Sequence, residues 1–159
     1  MIKRGVKGVT LLNNALLWAA SGVLLATMLM AVANMVLRPL KMPIQGTFEL
    51  LGLGGALIVA FAAGSSQQAR IHIAVDILFD RFPRRLRRVL HALGDLAGGA
   101  LFAIAAWQMG RFGLTLRATG EISETLGGPV YPVVFAVALG LGAIALTMLL
   151  HAVHDWGKR

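Results

Sequence analysis

The stretch QQARIHIAVDILFDRFPRR, residues 67–85, sets an imidazole, two carboxylates and several guanidinium groups between two strongly apolar runs. His72, Asp76 and Asp80 follow one another at four-residue intervals, which on a helix aligns them along one face. One imidazole and two carboxylates with an open coordination position could hold a metal ion. The neighbours oppose this: Arg70, Arg81, Arg84, Arg85, Arg87 and Arg88 would neutralise the carboxylates, and no second close His pair completes a shell. A charged connecting loop is the ordinary reading, and no metal is expected.

Two further carboxylates fall in or beside apolar runs. Glu49 and Asp95 could relay protons or bind cations, because an ionisable group inside a membrane is costly to place there. Glu49, however, stands within the first turn of its expected helix, where the helix dipole favours negative charge. Asp95 lies two turns past Arg88 and could pair with an arginine or with a partner's cation. A transport pathway would need several polar groups converging at mid-depth, and the mid-helix positions are Ala, Leu, Val, Gly and Met. The four histidines (72, 91, 151 and 154) raise a different chemistry. Small four-helix membrane proteins can hold haem between facing helices, and His91 with His151 is the pair that would do so. Both positions equally suit helix-end histidines, and no cofactor is expected. With no cysteine in the chain, thiolate sites and disulfides are excluded.

The elements that must carry these residues follow from composition. Of 159 residues, 57% are hydrophobic and 14% charged, and the mean hydropathy is +0.75. A water-soluble domain of this length could not bury so much apolar surface. Crossing a hydrocarbon layer about 30 Å thick takes roughly 20 helical residues, and four stretches supply them: about 13–37, 48–69, 88–112 and 129–152. Helices rather than a β-barrel are expected, since the alternating pattern of barrel strands is absent. Pro39, Pro43, Pro83, Pro129 and Pro132 all fall outside the helix interiors or in a first turn. The expected architecture is all-α: a single membrane domain over 1–159, four spans and a cytoplasmic hairpin at 70–87. The first apolar run, although followed by Ala31-Val32-Ala33, is longer than a cleaved signal segment usually has, and its retention is expected.

Charge orients the spans. With four crossings, both termini and the middle loop share one side, which carries eleven of the 15 Lys and Arg residues; Arg38, Lys41, Arg111 and Arg117 make up the other four. The positive-inside rule then places both termini in the cytoplasm. In PRRLRRVLHAL (83–93), Leu86, Val89, Leu90 and Leu93 share one helical face while Arg84, Arg85, Arg87 and Arg88 cover the rest. That pattern suits an amphipathic helix at the inner surface, its arginines on anionic lipid headgroups. The net charge of +8 is therefore read as lipid-directed, and no nucleic-acid partner is expected.

Small residues recur at helix-packing spacing. Gly94 and Gly98 form GxxxG, Gly52/Ala56 and Ala60/Gly64 repeat the interval, and Gly140 and Gly142 thin the last helix. Such faces let backbones approach closely in lipid, within one chain or between subunits.

The order of these features resembles a known family. The element R-x-H-I-x-V-D, here Arg70 to Asp76, follows the second helix. Asn34 and Arg38 close the first helix and Glu49 opens the second, while Glu124-Thr125-Leu126 precedes Pro129 and Pro132. Over nearly the whole chain this set resembles the small membrane subunit, the DctQ-like or Q component, of tripartite ATP-independent periplasmic (TRAP) transporters. One departure is that Tyr131 follows a valine, where an aromatic often follows the first proline directly. The resemblance implies a non-catalytic inner-membrane subunit that packs beside a large multi-span permease subunit and steadies it. Together with a periplasmic binding protein they would take up organic acids, usually with sodium. It also implies structural roles for Arg70, His72 and Asp76, and contacts near the outer face for Arg38, Glu49 and Glu124. The alternative is a membrane anchor for a redox enzyme, with haem on His91 and His151.

Overall fold

The computed structural model describes residues 2–68 and 84–156 and places them in four helices: α1 (Ile2–Leu37), α2 (Thr47–Gln68), α3 (Arg84–Thr119) and α4 (Tyr131–Trp156). Each helix reaches past its apolar run wherever the flanking residues are good helix formers. α3 is the clearest case, since Arg- and Leu-rich turns extend it at the N-terminal end. At 36 residues, α1 and α3 are each about 54 Å long at 1.5 Å per residue, well beyond the hydrocarbon thickness.

Among the described residues α1, α2 and α4 are long and apolar enough to cross a membrane. Over the described residues α3 is not among them, and Asp95, Gln108, Arg111 and Arg117 lower its apolarity. Four helices are thus described, and over the described residues three of them meet the requirements of a span on their own.

The helices pack as a row rather than a closed ring. α4 is central, pairing most extensively with α3, then with α2, and only slightly with α1; α1 leans mainly on α2. Burial follows the same order: 44% of the apolar window of α4 is buried in the protein, 22% of that of α2 and 6% of that of α1. The core is accordingly small-residued, with Ala60, Ala143, Ala145 and Ile144 at its centre.

Close approaches are made at glycines. A Cβ on Gly140 would lie 2.6 Å from the carbonyl oxygen of Ala60, so α4 and α2 meet backbone to backbone there. Gly98 and Gly99 receive Met148 and Leu149 of α4, and Gly113 receives Phe135. These pairs run in opposite directions along the two helices, so α3 lies antiparallel to α4 over much of its length. Gly54 accommodates Thr27, which ties α2 to α1.

The connections after α1 and after α3 begin with the same cap. After α1, Met42 N–H donates to Leu37 O and Lys41 N–H to Arg38 O, with Lys41 left-handed at φ 60°. After α3, Glu121 N–H reaches Leu116 O across Gly120 at φ 67°. These are Schellman-type ends, which satisfy carbonyls that the last helical turn leaves open. The first connection is then closed by Asn34, whose Oδ1 accepts from Ile44 N–H at 2.9 Å.

Candidate functional site

Two clusters combine polar groups with tertiary contacts, one at each end of the helix row. At one end, the 120–130 connection folds over the start of α2. Ile122 and Pro129 form an antiparallel bridge, and Ser123 organises the turn between them. Its N–H donates to Gly128 O (2.8 Å), its carbonyl accepts from Gly127 N–H (3.0 Å), and its hydroxyl accepts from Leu126 N–H (2.9 Å). Leu126 packs against Gly46, where a Cβ would come within 2.7 Å of it; Gly46 has φ 76°, so glycine is required twice over. At the start of α2 the Thr47 hydroxyl donates to Ile44 O at 2.7 Å, tying the first turn to the preceding connection. Glu49 turns its carboxylate toward the Ser123 and Thr125 side chains and the Thr125 backbone. Its Oε2 is buried and has no hydrogen-bond partner among the described residues.

The helix-dipole argument for Glu49 therefore covers only part of its setting, because the carboxylate also faces the 120–130 connection. Removing the Ser123 hydroxyl strands the Leu126 amide and one group facing Glu49, a loss of about 1–2 kcal/mol. Ser123→Ala is expected to speed hydrogen exchange at Leu126 and Gly127 by roughly tenfold. Unchanged exchange there would mean that the turn does not depend on Ser123.

At the other end, Asn13 and Thr147 are 0% and 1% exposed, although both lie within apolar helices. The Asn13 amide donates to Thr147 Oγ1 (2.9 Å) and to Gly64 O (3.4 Å), linking α1 to α4 and α2. Thr147 passes its own proton to Ala143 O at 2.7 Å. Asn13 Oδ1 finds no conventional donor among the described residues. It faces the position a Cβ on Gly64 would occupy, 2.6 Å away, so the Gly64 Cα–H is its neighbour and offers a weak hydrogen bond. The sequence signal for this junction was the Asn13-Asn14 pair in an apolar run, polar residues that need partners in hydrocarbon; the interhelical role of Asn13 was not anticipated. One turn further on, Gln67 donates to Asp95 Oδ1 at 3.4 Å, which joins α2 to α3.

The other candidate residues are dispersed. Arg38 and Glu124 are exposed on the connections after α1 and α3, apart from the Glu49 cluster's buried oxygen. Gly94 is exposed with open space around it, whereas Gly98 is packed on Met148. Arg84, Arg85, Arg87, Arg88 and His91 belong to the first turns of α3, and His151 is half-buried on α4. Arg70, His72 and Asp76 lie outside the described residues. No group of three or more potential metal-binding side chains is assembled among those described. The described surface also carries an open groove beside α4, lined by Leu12, Phe135, Ala138, Leu139, Gly142 and Leu146. Its walls are apolar and offer no handle for a polar solute.

Taken together, these clusters join helix to helix and loop to helix, and neither lines a route across the membrane. The comparison with known families agrees. The profile of the tripartite ATP-independent periplasmic transporters, DctQ component, matches residues 27–158.

The chain belongs to the DctQ family.

Membership makes it a membrane component of a TRAP transporter at the inner membrane, one part of a system with a large permease and a periplasmic binding protein. No curated protein and no solved structure matches. The match covers α2, α3 and α4 completely within their membrane portions and begins partway along α1, at residue 27. It lends no support to the redox-anchor alternative with haem on His91 and His151.

Proposed function

We propose that this DctQ-family chain is a non-catalytic scaffold subunit. It packs against the large permease subunit and steadies it during ion-coupled uptake, with sodium the expected ion and organic acids the expected cargo. The observation that carries this reading is the nature of the described interior. Its buried polar side chains, Asn13, Thr47, Ser123 and Thr147, are spent on joining elements near the two membrane surfaces. The packed middle, at Ala60 against Gly140, is backbone on backbone.

A four-span topology with both termini in the cytoplasm belongs to the proposal. The antiparallel contacts of α3 support it: between Gly98–Met148 and Gly113–Phe135, α3 runs alongside a helix that is itself apolar enough to cross. A helix coextensive with a spanning one crosses the same layer, and burial of its small-residue face on α4 offsets its lower apolarity. The distribution of Lys and Arg then sets the orientation. In this arrangement Arg84, Arg85, Arg87 and Arg88 meet anionic headgroups at the inner surface, and Arg70, His72 and Asp76 stabilise the cytoplasmic hairpin. Arg38, Glu49 and Glu124 face the periplasm, where the large subunit or the binding protein would meet them, and the Gly94–Gly98 face serves helix packing.

The test is uptake by proteoliposomes containing the large subunit, the binding protein and a sodium gradient, with and without this chain. Uptake should require the chain, and the chain alone should transport nothing. Undiminished uptake without it, or transport by the chain alone, would overturn the proposal.

A further inference from the structure

We propose that the face of α3 turned away from α4 docks a carboxylate-bearing, membrane-spanning helix of the large permease subunit, with Gln108 and Arg111 forming the polar part of the joint. This rests on the scaffold reading above, with α3 as one of the spans, and adds which surface makes the contact and what chemistry meets it.

The depth of the face follows from its register on α4. Gly98 meets Met148 and Gly113 meets Phe135, so Gln108, two-thirds of the way from the first contact to the second, lies level with about Gly140. Gly140 is nine residues inside the start of α4 at Tyr131 and twelve short of Ala152, roughly 13 Å and 18 Å along the axis. The first limit is a true helix start, preceded by the non-helical 120–130 connection, and irregular backbone does not lie in lipid. The second distance is a minimum, because α4 runs on to Trp156. The same level holds the Ala60–Gly140 crossing in the middle of the row. Headgroups and interfacial water do not reach an amide there.

The side chains at that level are ill suited to lipid. Gln108 and Arg111 are exposed, and no hydrogen bond reaches either side chain from the described residues. Exposed hydroxyls in the spans behave differently: Ser21 and Thr115 donate to Leu17 O and Arg111 O, one turn back in their own helices. Gln108 makes no such bond, and acyl chains offer neither donor nor acceptor. Helical side chains lean toward the N-terminus of their helix. In α3 that end lies away from Tyr131, so the natural reach of Arg111 is over the Gln108 turn and not toward the nearer surface. Trp107, 69% exposed beside them, sits at the same depth, well away from the headgroup level where a lipid-facing tryptophan settles.

A protein helix answers all three. α3 stands at one end of the row and packs extensively only on α4. Over its described residues it is not among the helices apolar enough to cross alone. A helix on its open side takes Gln108, Arg111 and Trp107 out of lipid together. A cation and an amide one turn apart at this depth call for a carboxylate opposite Arg111, and Trp and Arg are the residue types that anchor interfaces. A second copy of this chain fits poorly, because like faces in one membrane orientation would set Arg111 against Arg111.

The experiment uses the complete membrane complex, purified in mild detergent through a tag on this chain, with the large subunit quantified. Gln108→Leu should reduce the co-purified large subunit about tenfold. Arg111→Leu should reduce it about a hundredfold, because the partner's carboxylate is left buried and unpaired. Arg111→Lys, which keeps the charge, should retain more than Arg111→Leu; equal loss in the two would overturn the charge pairing. Val59→Leu, at an exposed position on α2, should change nothing. The melting temperature of the isolated chain should be unchanged in Gln108→Leu, which separates docking from folding; a clear fall would place Gln108 in the fold of this chain and overturn the proposal. Full retention of the large subunit in both Gln108→Leu and Arg111→Leu would assign the face to lipid and overturn it, while the scaffold reading stands. A disulfide-linked dimer of this chain formed through Gln108→Cys in the presence of the large subunit would also overturn it, since a second copy would then occupy the face. If the unaltered chain brings down no large subunit, the scaffold reading itself fails and the α3 face fails with it.

Discussion

Gly140→Leu is expected to destabilise the isolated chain by about 3 kcal/mol, while Gly142→Leu, two residues away, changes its stability by about 0.5 kcal/mol or less. The difference lies in what each new side chain meets. A Cβ at Gly140 would stand 2.6 Å from Ala60 O, 2.8 Å from its carbonyl carbon and 2.9 Å from its Cβ. Carbonyl atoms of a helix cannot rotate aside, so α2 and α4 must separate along their whole crossing. Gly142 has nothing within 4 Å of the same position. Because α4 is also the helix on which α3 packs, separating it from α2 divides the row into α1–α2 and α3–α4 pairs. Thermal unfolding of both variants in a mild detergent measures the contrast, and cysteine crosslinking between α2 and α4 reports the separation directly. Equal melting temperatures for the two variants would show that the Ala60–Gly140 crossing contributes little to the fold.

The contrast between these two glycines marks how far the sequence could be read. Length, apolarity and proline placement indicated four helices; Leu37 ends α1 as expected and Thr47 begins α2 one residue early, whereas α1 starts at Ile2 rather than near 13 and α3 runs on to Thr119 rather than ending near 112. Those features are legible because each helix in lipid must satisfy its own backbone, which ties the apolar run to the element. Which glycine touches which neighbour was not legible. Gly52, Gly94 and Gly142 fit small-residue spacing as well as Gly54, Gly98 and Gly140 do, yet the first three face open space. Spacing along one helix fixes a face, whereas contact depends on where the other helix crosses, and that is a property of the whole row.

The polar groups divide in the same manner. Glu49 stood out as a carboxylate at a helix start, and its dipole setting was readable from position alone. Its approach to Ser123 and Thr125 spans more than seventy residues of chain and depends on how the 120–130 turn folds back. Arg38, Glu49 and Glu124 were grouped by their expected side of the membrane; in the structure only Glu49 has its carboxylate held within a tertiary cluster. Asn13 escaped notice because a single amide in an apolar run says that a partner is needed without saying where. Among its described residues the small subunit consequently has two polar clamps, one toward each end of the helix row, with a steric crossing between them. Such a distribution resists shear between helices at both ends, and the crossing between them, Ala60 against Gly140, is backbone on backbone.

The inner clamp yields the second large effect, and it is non-additive. Asn13→Ala removes two interhelical hydrogen bonds and should cost about 1–2 kcal/mol, since such bonds in membranes are individually modest. Thr147 softens the loss, because its hydroxyl stays bonded to Ala143 O. Gly64→Ala should cost about 1–3 kcal/mol by overpacking: its new methyl would lie 2.6 Å from Asn13 Oδ1 and 3.1 Å from Cγ. The amide cannot withdraw from that methyl without stretching its bonds to Thr147 and Gly64. Once the amide is gone the methyl has room, so the double variant Asn13→Ala, Gly64→Ala should be no less stable than Asn13→Ala alone. The interaction term recovered from this cycle should match the Gly64→Ala loss, about 1–3 kcal/mol in the direction of rescue. Simple addition of the two single losses would mean that the amide and Gly64 do not share one space, and that the junction between α1, α2 and α4 is not built around Asn13.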